Sequence, residues 1–196
     1  MNNLYMENLR KQVKNALKTD KMRYRHTLGV ADTCACLAMR YGIDMEQAYT
    51  AGLLHDCAKC VPDDMKLQQC AEAGIKLTAI EKENPYLIHS KLGAFYAKNL
   101  YGIQDKEICS AIQWHTTGKE NMTLLEEIVF LADYIEPYRN EAPDLEQIRS
   151  LAFTNIDRAV YEVLKDTLAY LKGSNRPIDT TTLDTYRFYE RRVSGL

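Results

Sequence analysis

The chain has four histidines, His26, His55, His89 and His115, and each falls on or beside an apolar stripe. His26 shares a face with Val30, Cys34, Leu37 and Tyr41 at three- and four-residue steps. His55 ends the run Ala51-Gly52-Leu53-Leu54 and is followed directly by Asp56. His89 opens a segment whose inner side includes Leu92, Gly93 and Tyr96. His115 continues Ile108 and Ile112, and Asp133 continues Leu125 and Val129. Taken singly, each has an ordinary explanation: a satisfied core histidine, a helix-end charge for His115, an ion pair between Asp133 and Arg139. Taken together they pose a cost, because an unpaired buried polar group loses about 1–3 kcal/mol and a carboxylate more. Shared ligation of metal ions would satisfy all six at once.

The donor types narrow that chemistry. Four imidazoles and two carboxylates without an obligatory thiolate suit iron, manganese, cobalt or zinc in an open site. Six side chains exceed the three or four that one catalytic ion needs beside water and substrate. Two ions about 3.5–4 Å apart are therefore expected, with Asp56 as the bridge because it adjoins a ligand. A hydroxide formed between them would be the nucleophile, and one ion would hold an attacked phosphoryl oxygen.

The neighbouring residues admit more than one reading. Lys59 lies three residues after Asp56, where its ammonium either meets a substrate phosphate or stays in solvent. Cys57 and Cys60 form a single Cys-x-x-Cys with no second pair to complete a four-thiolate site, so they read as small buried hydrophobes. Thr116-Thr117-Gly118 is a polar turn able to hold phosphate oxygens, or a plain loop. Arg139 is an anion clamp or a surface charge.

The elements that would position these groups are helical throughout. An amphipathic helix is expected over residues 2–17, then a long one capped by Asp20 and ended by Tyr41-Gly42. Asp44 caps a third through His55, with Gln47 placed for a capping box. Pro62 starts a short helix to Ala73 that Gly74 closes. Others follow at 89–100, 105–115, 123–135, 144–154, 156–172 and 180–192. Pro85, Pro137, Pro143 and Pro177 fall between helices, where proline is tolerated. The expectation is one all-α domain spanning residues 1–196. Its C-terminal segment, 175–196, either completes the core, covers the pocket or forms a homodimer surface.

Composition excludes several classes. With 25 Lys and Arg against 27 Asp and Glu, the net charge of −2 argues against nucleic-acid binding. The apolar run Ile128-Val129-Phe130-Leu131-Ala132 is far too short for a membrane span, and the N-terminus lacks the apolar block of an export signal. The six cysteines are accordingly expected to be reduced in a cytoplasmic protein.

The ordered set of motifs resembles the HD-domain metal-dependent phosphohydrolases, an all-α superfamily forming a helical bundle. The resemblance rests on Arg23-Tyr24-Arg25-His26-Thr27-Leu28-Gly29-Val30, Ala51 through Lys59, His89-Ser90, Trp114 through Gly118, and Ala132-Asp133-Tyr134-Ile135-Glu136-Pro137-Tyr138-Arg139. Within that superfamily the chain is most similar to the YqeK-like family of bacterial HD proteins. The resemblance implies symmetrical hydrolysis of dinucleoside tetraphosphates, chiefly diadenosine tetraphosphate to two ADP, at a di-iron or similar centre. It implies one ion on His26, His55, Asp56 and Asp133, and a second on Asp56, His89 and His115. Iron is the expected metal, with manganese or cobalt as alternatives. Lys59 and Arg139 would neutralise phosphate, Thr116, Thr117 and Gly118 would line the nucleotide pocket, and Arg23 would support the site or touch substrate. The rival readings are an HD phosphohydrolase on another nucleotide and a non-catalytic nucleotide sensor.

Overall fold

The structure is a computed structural model that describes residues 3–195; residue 2, where the first helix was expected to start, lies outside them. Eleven α-helices and one 3-10 turn follow one another, with no strand among the described residues. They are α1 (Asn3–Ala16), α2 (Lys21–Tyr41), α3 (Met45–Leu54), α4 (Asp63–Glu72), α5 (Ala79–Glu83), the 3-10 turn Pro85–Ile88, α6 (His89–Asn99), α7 (Lys106–Trp114), α8 (Leu124–Ile135), α9 (Leu145–Thr154), α10 (Ile156–Gly173) and α11 (Thr180–Ser194). No helix among the described residues is long and apolar enough to cross a membrane.

Local sequence explains most boundaries. The Asp20 carboxylate accepts the Arg23 N–H to open α2, and Gly42, at φ +72°, closes it. Asp44 accepts the N–H groups of Glu46 and Gln47 at the start of α3. Gln47 does not close the expected capping box; its amide reaches 2.8 Å to Asp105, the N-cap of α7, and ties the two helices. The reciprocal boxes form instead at Thr78–Glu81 and Thr123–Glu126, which start α5 and α8. Helix α5 and the 3-10 turn after it were not expected; five residues carry too little periodicity to be seen.

Helices α2, α3, α7 and α8 pack against one another around the main core, which includes Val30, Leu37, Leu53, Leu54, Ile112, Ile128 and Leu131. At Gly52 a Cβ would lie 2.8 Å from Cys34 Sγ and 2.9 Å from Ala31 Cα, so glycine lets α3 approach α2 closely. Helix α6 packs on α7, and a smaller apolar cluster of Ala58, Cys70, Ile88 and Leu92 seats α4 and the 3-10 turn beneath it. On the far side α10 packs against α8, α9 and α11, and Tyr189 of α11 is fully buried. All six cysteines are free.

Candidate metal centre

Helix ends deliver the polar groups to one place. His55 is the C-cap of α3 and His115 the C-cap of α7. His89 begins α6, His26 lies in the second turn of α2, and Asp133 sits near the end of α8. Asp56 follows His55 in the turn beyond α3 and is buried. The four rings stand edge to face in a chain, with centroids 5.5 Å apart for His26 and His55, 5.0 Å for His55 and His115, and 5.1 Å for His89 and His115.

Each ring turns the same nitrogen outward. Nδ1 of His55 lies 2.7 Å from Gly52 O, that of His89 2.8 Å from Tyr86 O, and that of His115 2.7 Å from Ile112 O. A carbonyl only accepts, so these Nδ1 atoms carry a proton, and in the neutral ring Nε2 is then a lone pair able to bind a metal. Against burial, Asp56 and Asp133 favour the charged form of His55. His26 repeats the pattern with a carboxylate, its Nδ1 standing 3.1 Å from Glu136 Oε1. Such outer partners fix ring orientation and raise the basicity of a metal ligand.

Two of the four inward nitrogens lack the partners that buried groups normally have. Nε2 of His26 and of His55 is buried without a hydrogen bond. Asp133 Oδ1 lies 2.9 Å from His26 Nε2. His89 Nε2 and His115 Nε2 face each other at 3.2 Å. Burial and the Lys59 ammonium lower the pKa of His89, and burial with the neighbouring His55 and His89 pushes that of His115 down to about 3. Both rings are therefore neutral near pH 7, and two acceptors oppose each other at contact distance. A cation between them removes that conflict. The donor set fits transition-metal ions.

Asp56 divides its two oxygens across the cluster. Oδ1 lies 3.3 Å from His89 Nε2 and 3.7 Å from His115 Nε2, while Oδ2 lies 3.4 Å from His55 Nε2. Among the described residues, three triads have ligand atoms within 4.8 Å of one another: His26, His55 and Asp56; His55, His115 and Asp133; Asp56, His89 and His115. Burial would raise the Asp56 pKa, but His55, His89 and Lys59 hold the carboxyl well below the usual range. Burial likewise opposes the charge on Asp133, and the imidazoles of His26 and His55 hold it down.

Cationic side chains flank the cluster. Lys59 is brought round by a turn in which its N–H donates to Asp56 O, and Nζ stands 3.2 Å from His89 Nε2. At the other flank Arg23 donates to Asp56 Oδ2 at 2.9 Å, and Arg139 donates to Asp133 O at 2.9 and 3.1 Å. Thr116 Oγ1 lies 3.2 Å from His115 Nε2 and 3.4 Å from His89 Nε2, at the cluster itself. Thr117 donates its hydroxyl to Gly118 O. Gly118, expected to line the pocket, is buried against α11: at φ +64° its Cβ would lie 2.7 Å from Thr185 Cγ2. It shapes the turn rather than offering a surface to substrate.

Sequence reasoning assigned no part to Glu136. It stands three residues after Asp133, about one turn on, which was the available signal. It is buried; Oε1 meets His26 and Oε2 accepts the Tyr138 N–H at 2.7 Å. Gly29 makes the room, since a Cβ there would fall 2.5 Å from Glu136 Oε2.

The HD domain family model matches residues 23–138, the stretch from Arg23 past Asp133 that holds the whole cluster. Three curated relatives are named "Bis(5'-nucleosyl)-tetraphosphatase, symmetrical". That of Halalkalibacterium halodurans is 40% identical over 84% of this chain and 87% of its own length. That of Bacillus subtilis is 38% identical over 88% and 90%, and that of Staphylococcus aureus 35% identical over 88% and 89%. A crystal structure of a "predicted HD superfamily hydrolase involved in NAD metabolism" from Clostridium acetobutylicum superposes with a TM-score of 0.91 at 34% identity, covering 95% of this chain and 97% of that one.

Proposed function

The chain belongs to the HD domain family, and from that membership we propose that it is a metal-dependent hydrolase cleaving diadenosine tetraphosphate symmetrically to two ADP. The relatives at 35–40% identity over most of the chain support the reaction. One observation of the site carries the reading: imidazole Nε2 atoms converge with every Nδ1 already committed outward.

We assign one ion to His26, His55, Asp56 and Asp133, and a second to Asp56, His89 and His115, with iron preferred and manganese or cobalt as substitutes. Bound there, the ions would supply Lewis acidity at phosphoryl oxygens and an activated water. Water adds to an inner phosphorus, the bond from that phosphorus to the central bridging oxygen breaks, and each half leaves as ADP.

The chain's own groups position and neutralise. Asp56, charged and split between the two histidine sets, would hold the ions in register. Arg23 lies against the Asp56 carboxylate and Arg139 against the Asp133 carbonyl and, at 3.5 Å, its carboxylate, where their remaining N–H groups can meet phosphate oxygens. Lys59 supplies a point charge beside His89, where negative charge builds on the leaving phosphate. The Thr116 hydroxyl can donate to a phosphoryl oxygen from the same flank.

The test is turnover of diadenosine tetraphosphate by protein loaded with Fe(II), Mn(II) or Co(II), with products separated chromatographically. ADP alone is expected. AMP with ATP would overturn symmetrical cleavage, and no turnover with ions bound would overturn the substrate.

A further inference from the structure

A cavity of about 280 Å³ opens beside His26 at the Arg23 and Arg139 flank, close to the ~300 Å³ at which small-ligand pockets begin. Its outer wall is built from flat groups. The Arg25 guanidinium stacks on the Tyr138 ring at 3.9 Å from the centroid, and Tyr138 is 49% exposed. That ring is held to the centre by a short relay. The Tyr138 N–H donates to Glu136 Oε2, whose other oxygen orients His26. A Cβ on Gly29 would come 3.2 Å from Tyr138 Cδ2, so glycine leaves space for the ring to lie over α2.

The charges in the cavity grade outward. Arg23 and Arg139 reach inward to Asp56 and Asp133. Of the three acidic lining residues, Asp20 caps α2 and Glu136 holds His26 and Tyr138, which leaves Glu141 against four arginine and histidine side chains. Farther out lie the Arg25–Tyr138 layer and the amide of Asn140, which has a donor and an acceptor to offer a base edge. Guanidinium and aromatic planes are the surfaces on which nucleobases stack.

We propose that this cavity is the nucleoside subsite for one arm of the substrate, with Tyr138 and Arg25 stacking its base. Phosphates would run inward past Arg23 and Arg139 to the metal centre. This inference rests on the hydrolase reading above and adds a specificity-determining pair outside the metal ligands.

The experiment uses metal-loaded protein with Tyr138→Leu, Tyr138→Trp and Arg25→Ala. Loss of one base stack should raise KM for diadenosine tetraphosphate roughly 5- to 150-fold in Tyr138→Leu, more than it lowers kcat. Tyr138→Trp should restore the affinity. Inorganic tripolyphosphate, which has no base, should inhibit all forms equally, and metal content should not change. An unaltered KM in Tyr138→Leu and Arg25→Ala, while wild-type turnover persists, would overturn the subsite alone. So would an equal weakening of tripolyphosphate inhibition. Wild-type protein that holds metal but neither binds nor cleaves diadenosine tetraphosphate would overturn the hydrolase reading with it.

Discussion

Helix α8 carries the buried Glu127 near its start and the part-exposed Asp133 near its end, and their surroundings drive them to opposite charge states. Glu127 is buried, accepts a 2.6 Å hydrogen bond from Tyr189 of α11, and has Asp157 and Glu126 for neighbours against Arg192. Burial wins there and pushes its pKa up to about 7. Asp133 stands beside His26 and His55, which hold it charged despite burial. The first carboxyl is completed by the protein: a proton and a tyrosine hydroxyl satisfy it. The second belongs to a cluster in which imidazole acceptors face each other, a conflict that added cations would remove. Satisfied and unsatisfied burial thus separate a structural polar contact from a working site on one helix.

Four substitutions test that contrast, ordered by their effect on turnover. Asp56→Asn removes the charge shared between the two histidine sets. It should release metal and cut hydrolysis by more than the ~10³-fold that loss of one charge-stabilising donor costs, read by metal analysis and rate. Glu136→Gln keeps the shape but weakens the hold on His26 Nδ1. Metal affinity, measured by chelator competition, should fall about 10- to 100-fold. Lys59→Ala should keep its metal and lose about tenfold in kcat/KM, the lower end for a hydrogen bond to a charged group, since Lys59 is half-buried. Glu127→Gln should leave turnover alone and act on stability. The folded-state pKa of Glu127 lies above its ordinary value of 4.5, so the wild-type contribution is complete below about pH 4.5 and lost as pH rises through about 7. Unfolding at pH 5 and pH 8 should therefore show a difference of up to about 3 kcal/mol in the wild type that shrinks in the variant.

Much of this was legible in the chain. Asp20, Gly42 and Asp44 announce helix ends because capping is local chemistry, and the structure uses them as such. The six polar groups announce themselves because imidazole is rare here and each lies on an apolar stripe. What stayed hidden depends on contacts between distant residues. Glu136 reads as an ordinary carboxylate after a helix until α2 brings His26 against it, 110 residues away. Gln47 fits a capping box by spacing, yet α7 offers its amide a better acceptor at Asp105. Gly118 reads as a loop glycine until Thr185 of α11 closes over it. Tyr189 and Glu127, 62 residues apart, carry no shared local signal.

The most direct test of the account is anomalous diffraction from crystals grown with iron. Two peaks about 3.5–4 Å apart are expected, one reached by Nε2 of His26 and His55, the other by Nε2 of His89 and His115, with an Asp56 oxygen on each. A single peak, or iron bound away from these nitrogens, would contradict the two-ion centre.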